Sequence, residues 1–86
     1  MNNEISIALI QTDLVWKDKK ANLSNLANLI SAIEKEIDII VLPEMFSTAF
    51  CVDDITLAED INGETVAWLQ HQAKEKNAAI CGSILF

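Results

Sequence analysis

Within IIVLPEMFSTAF, residues 39–50, four apolar residues run into Pro43 and Glu44 follows at once. Building a strand does not require an acid there. The run Ile39-Ile40-Val41-Leu42 has no polar alternation, the pattern of a central strand in a parallel sheet covered on both faces. Proline cannot donate to a ladder and ends the strand. Functional groups of open parallel sheets gather beyond the carboxyl ends of their strands. Glu44 therefore stands where a rigid strand root could hold a general base. Its neighbours Leu42, Met45 and Phe46 are expected to draw the carboxylate partly out of water. By pattern alone the same position also suits a cap or a solvated loop acid.

The other reactive side chains carry plainer readings. Cys51 and Cys81 form neither a disulfide framework nor a metal spacing. Cys51 lies in the same connection as Glu44 with no lysine between them, and Cys81 lies among Ile80, Gly82 and Ile84, where a small inert hydrophobe is expected. Neither reads as a nucleophile. Lys74 and Lys76 are expected in solvent on a helix. His71 has no carboxylate or cysteine at ligand spacing and reads as a surface residue. Asp53-Asp54 and Glu59-Asp60 lack the calcium-loop spacing and read as a solvated acidic surface. Trp16 and Trp68 read as packing groups. With only Gly63 and Gly82, the chain has no glycine-rich phosphate loop.

The elements that must position Glu44 follow from periodicity. Residues 4–12 read as a first strand, with Ile5, Ile7 and Leu9 on one face and Ser6, Ala8 and Ile10 on the other, both suited to cover. A helix is predicted from Asp18 or Lys19 to about Glu36. Asp18 is its N-cap, and Leu23, Leu26, Ile30, Ile33 and Ile37 form one apolar stripe. Residues 38–42 form the second strand. The connection 44–61 carries Met45, Phe46, Phe50 and Val52 and is too apolar to be a solvated loop. A second helix begins near Asn62-Gly63 and runs to about Lys76, with Val66, Leu69 and Ala73 inward and Asn77 as C-cap. Residues 78–86 read as a third strand. The order strand–helix–strand–helix–strand gives an α/β class with a parallel βαβαβ unit and right-handed crossovers. A chain that stops in a buried-type strand reads as the front part, residues 1–86, of a larger domain.

Composition narrows the partners. The 86 residues are 51% hydrophobic, which argues against disorder. Thirteen acids against six lysines give a net charge of -7, which disfavours nucleic acid and anionic membrane surfaces. No basic flank precedes the short apolar run Ile5–Ile10, so no targeting or membrane-spanning segment is read. Two free thiols fit a reducing, cytoplasmic setting.

Three stretches together resemble the nitrilase superfamily, the carbon–nitrogen hydrolases. IIVLPEMFSTAF resembles the family's glutamate motif. ISIALIQTDLVWKDKKANLSNLANLI is similar to its opening strand, loop and asparagine-bearing first helix. INGETVAWLQHQAKEKNAAICGSILF is similar to the helix and Gly-Ser strand that come next. The aromatic PEMFSTAF most resembles the omega-amidase branch. All 86 residues match, as an N-terminal third or so of a family domain. The resemblance implies an α-β-β-α four-layer sandwich, a Glu-Lys-Cys triad acting on a small amide, no metal or organic cofactor, and a homo-oligomer, commonly a dimer. Glu44 falls on the triad glutamate, the general base; the lysine and cysteine would lie beyond Phe86. The isolated chain is therefore expected to be inactive. The branch often has glycine where this chain has Ala49, so a positive φ there would strain the backbone. Two alternatives stay open: a non-catalytic α/β interaction module, and one half of a split enzyme. The first would want an acidic pair after the first strand, where Asp13 stands alone; the second would co-purify with a chain supplying the lysine and cysteine.

Overall fold

The computed structural model describes residues 4–51 and 53–85. Among them, strands β1 (Ile7–Leu9), β2 (Ile39–Val41) and β3 (Ala79–Cys81) alternate with helices α1 (Lys19–Ser31) and α2 (Glu64–Lys76), and a 3-10 turn at Ile55–Leu57 interrupts the connection after β2. Pairing is parallel in the order β1-β2-β3, so the strand with the unbroken apolar run is central. The strands are shorter than their apolar runs, yet sheet-like bonding continues past them. The Ile10 amide donates to Val41 O and the Leu42 amide to Cys81 O, both at 2.9 Å. The predicted ends at Phe86 and the side chain of Val52 lie outside the described residues.

The helices form where the caps predict. The Asp18 carboxylate accepts the Ala21 amide at 3.0 Å and opens α1. Asn77 takes the left-handed conformation, φ 51°, and closes α2. α1 ends at Ser31 rather than near Glu36. The Ser31 hydroxyl shares the Asn28 carbonyl with the Ala32 amide, and the Ile33 amide closes the end with an i→i−3 bond to Ile30 O. Ile33 and Ile37 still turn inward from the unwound segment.

The core lies between the helices and one face of the sheet. Leu23, Leu26 and Ile30 of α1 meet Ile40 and Leu42 around Phe46, with Ala8, Ile10, Trp68, Leu69 and Ile80 packed against them. Each fully buried large side chain here contributes about 1.5–3 kcal/mol. The opposite face behaves differently. Leu9 is 70% and Ile7 54% exposed, and Ala79 and Cys81 are exposed as well. Cover on both sides was expected for β1 and β3; these residues bury only one. Cys81 accordingly is not an enclosed core residue: it points away from the helices, while Cys51 is the buried thiol.

Candidate active site at the carboxyl end of β2

Glu44 leaves the central strand one residue after Pro43, at the rim where all three parallel strands end. Its side chain is exposed, and among the described residues no hydrogen bond or ion pair engages it. The expected apolar enclosure is absent because Leu42, Met45 and Phe46 turn into the core, where each is less than a tenth exposed. Beside this rim lies an open cleft of about 400 Å³, lined by Leu9, Ile10, Gln11, Thr12, Val41, Leu42 and Pro43.

The four residues after Glu44 are all buried. Met45 has a positive φ of 52°, a conformation that costs a non-glycine residue about 1–2 kcal/mol. It is held there from β3's far end: its amide donates to Ser83 Oγ at 2.9 Å, and the Phe46 amide donates to Ser83 O at 3.3 Å. The preceding Gly82 makes room. A Cβ at that position would stand 2.8 Å from the Phe46 ring and 3.2 Å from Leu42. On its outer side the Phe46 ring meets Trp68 with centroids 5.8 Å apart, so Trp68 packs as predicted.

A second hold comes from α1. Asn22, 1% exposed, accepts the Val15 amide at 2.7 Å and donates to Val15 O at 2.8 Å and Ser47 O at 2.9 Å. It ties the loop after β1 to the loop after Glu44, and the Lys17 amide adds a bond to Thr48 O at 2.9 Å. Ala49 does adopt the positive φ, 63°. Its carbonyl accepts both the Thr48 hydroxyl at 2.9 Å and the Cys51 amide at 2.7 Å, which fixes the turn. Trp16 is not a packing group here; it is 57% exposed, with the Lys17 ammonium 5.8 Å from its ring centre.

The acidic cluster divides. Asp53 and Asp60 are exposed as read, and Asp54 caps the 3-10 turn, where the Thr56 bonds and Lys17 hold its carboxyl below the usual value. Glu59 is not a solvated acid. Its side chain, 7% exposed, pairs with Lys19 at 2.8 Å, accepts the Thr65 amide at 2.8 Å and bonds the Thr65 hydroxyl. Burial works to raise its pKa, but Lys19 and Thr65 outweigh it and hold the carboxyl below the usual range. Glu59 thereby caps α2, whose own N-cap Gly63 has no side chain to offer. Lys76 is also anchored rather than free, donating to Ile33 O at 2.6 Å. His71 and Lys74 are exposed as expected. Asn22, Ser83 and Glu59 were missed as functional supports. Only the polar type of Asn22 inside the apolar stripe of α1 could have signalled one of them.

Among the described residues, no group of three or more His, Cys, Asp or Glu side chains is placed to hold a metal ion. No helix there is long and apolar enough to cross a membrane. What the arrangement offers chemically is one free carboxylate on a rigid mount beside an open cleft, suited to moving a proton.

Residues 6–85 match the family model described as carbon-nitrogen hydrolase. The chain is 39% identical over 82 residues to the omega-amidase YafV of Yersinia enterocolitica and 38% identical to that of Escherichia coli K12, covering 93% of this chain and 30% of each relative. The fold superposes with a TM-score of 0.86 and 37% identity on XC1258 of Xanthomonas campestris. That protein is a CN-hydrolase superfamily member whose crystal structure holds an arsenic adduct in the active site, and the match covers 93% of this chain and 31% of that one. The chain thus spans about three-tenths of the length of these relatives.

Proposed function

Because the chain belongs to the carbon–nitrogen hydrolase family, we propose that Glu44 is the general base of a cysteine-dependent amide hydrolase acting on a small ω-amide. The observation that carries this reading is a contrast within five residues. Residues 45–48 are buried and clamped, and Glu44 alone is exposed with no structural work to do. A carboxylate held in place but unengaged is available for proton transfer.

The reaction then runs in two halves. Glu44 takes the proton from a cysteine thiol, and the thiolate attacks the amide carbon. A lysine ammonium stabilises the resulting oxyanion. The carbon–nitrogen bond breaks as Glu44 returns its proton to nitrogen, and ammonia leaves a thioester behind. Glu44 next takes a proton from water as it attacks the thioester, the carbon–sulfur bond breaks, and the proton goes back to sulfur as the carboxylic acid departs. The lysine and cysteine lie outside these 86 residues, so this chain by itself is inactive. A thiol nucleophile accords with an arsenic adduct in the active site of XC1258, since soft thiolates favour soft partners. The bare face of the sheet is where the second sheet of an α-β-β-α sandwich would pack.

The test is Glu44→Gln in the full-length enzyme, with ammonia release from ω-amides as readout. The variant should fold normally and lose turnover by about three orders of magnitude. Near-normal turnover would remove Glu44 from the chemistry.

A further inference from the structure

We propose that Ser83 is a positioning residue for the Glu44 carboxylate, a role that rests on the reading of Glu44 as the base. The geometry is a clamp on the backbone either side of one residue. Upstream, Pro43 fixes its own φ near −65° by ring closure. Downstream, the Glu44–Met45 peptide would be free to rotate, and the left-handed φ of Met45 gives it reason to, since ordinary φ values are lower in energy. The Ser83 hydroxyl accepts the amide of that same peptide at 2.9 Å, and the Ser83 carbonyl accepts the next amide, that of Phe46, at 3.3 Å. One residue of a neighbouring strand end thus pins two successive peptides beginning at Glu44.

Its surroundings fit this role. Gly82 lets the strand end lie against the Phe46 ring, where any side chain would collide. Ser83 itself is exposed, so its hydroxyl fills no core space that packing alone would demand. Removing the oxygen frees the Glu44–Met45 peptide to flip, and flipping re-aims the carboxylate without disturbing the core. A general base displaced by even 1 Å loses much of its effect.

The experiment compares Ser83→Ala, Ser83→Thr and Glu44→Gln in the full-length enzyme, by kcat, KM and thermal midpoint. Ser83→Ala should lower kcat by about tenfold or more while KM stays within about twofold. Ser83→Thr, which keeps the accepting oxygen at an exposed position, should restore most of kcat. A fall in kcat shared equally by Ala and Thr, or an unchanged kcat in Ser83→Ala while Glu44→Gln is dead, overturns the positioning role and leaves Glu44 as the base. Normal turnover in Glu44→Gln overturns the underlying reading instead.

Discussion

Glu44 and Glu59 stand on the same connection, and the protein uses them in opposite ways. Glu59 is almost enclosed; Lys19, the Thr65 amide and the Thr65 hydroxyl account for its carboxylate, and through it α1, α2 and the loop are tied together. The Glu59 amide adds a bond to Leu85 O beyond β3. Among the described residues Glu44 is exposed and unengaged, though Ser83 holds the amides of the two residues that follow it. A structural acid is recognised by its partners. The reading of Glu44 as a reactive one rests on the partners of its neighbours.

Exchanging each acid for a neutral residue is the strongest way to break this comparison. Glu44→Gln should cost about 4 kcal/mol of transition-state stabilisation, by the thousandfold conversion, with no change in the urea midpoint of the full-length enzyme. Glu59→Ala should do the reverse. Leaving Lys19 half-enclosed without its partner should cost about 3 kcal/mol of folding stability, read by urea titration, while kcat per folded molecule holds. If Glu59→Ala left stability intact, the division of labour between the two acids would be wrong.

Asn22→Ala sharpens the comparison from the side of the mount. It leaves the buried Ser47 carbonyl and the part-buried Val15 amide without partners, which should cost about 2 kcal/mol. The loss should appear as faster hydrogen exchange at the Val15 amide before it appears globally. The two acids should also differ in acid. Glu59 has a folded-state pKa below the 4.5 of the free group. Its contribution is therefore fully present above that value and lost as pH falls through the folded pKa. The stability gap between wild type and Glu59→Ala should be full above 4.5 and narrow as pH falls below it; a constant gap would contradict the pairing. The smallest effect is Ala49→Gly. Relief of a positive φ should offset the added chain entropy and leave stability unchanged or raised by up to about 1 kcal/mol, measured as a midpoint shift.

Much of the frame was legible because it depends on local pattern. The stripe Leu23, Leu26, Ile30 repeats at helical spacing, Asp18 and Asn77 carry cap chemistry, and the unbroken run before Pro43 marks a central strand. Glu44 was legible as a strand-end acid for the same reason. What holds it was not. Ser83 and Asn22 reach this loop through bonds to residues 38 and 25 positions away in the chain, and local periodicity carries no trace of such pairings. Glu59 was misread because a cluster of acids normally faces water, and the lysine that draws it in belongs to the other helix. The early end of α1 was not legible either, since Ile33 and Ile37 continue the apolar stripe and still pack inward from beyond it.

The bare sheet face has a profile as well as a composition. Register sets Ile7 beside Ile39 beside Ala79, and Leu9 beside Val41 beside Cys81. The second row shrinks at each step and the first drops only at Ala79, so the surface falls away toward β3 over a width of about 10 Å. Close packing does not tolerate a gap on the low side. A layer laid on this face would therefore tilt, lying nearer the sheet over Ala79 than over Ile7, and Ala79→Leu would level the slope, forcing that layer to rise without touching the core beneath.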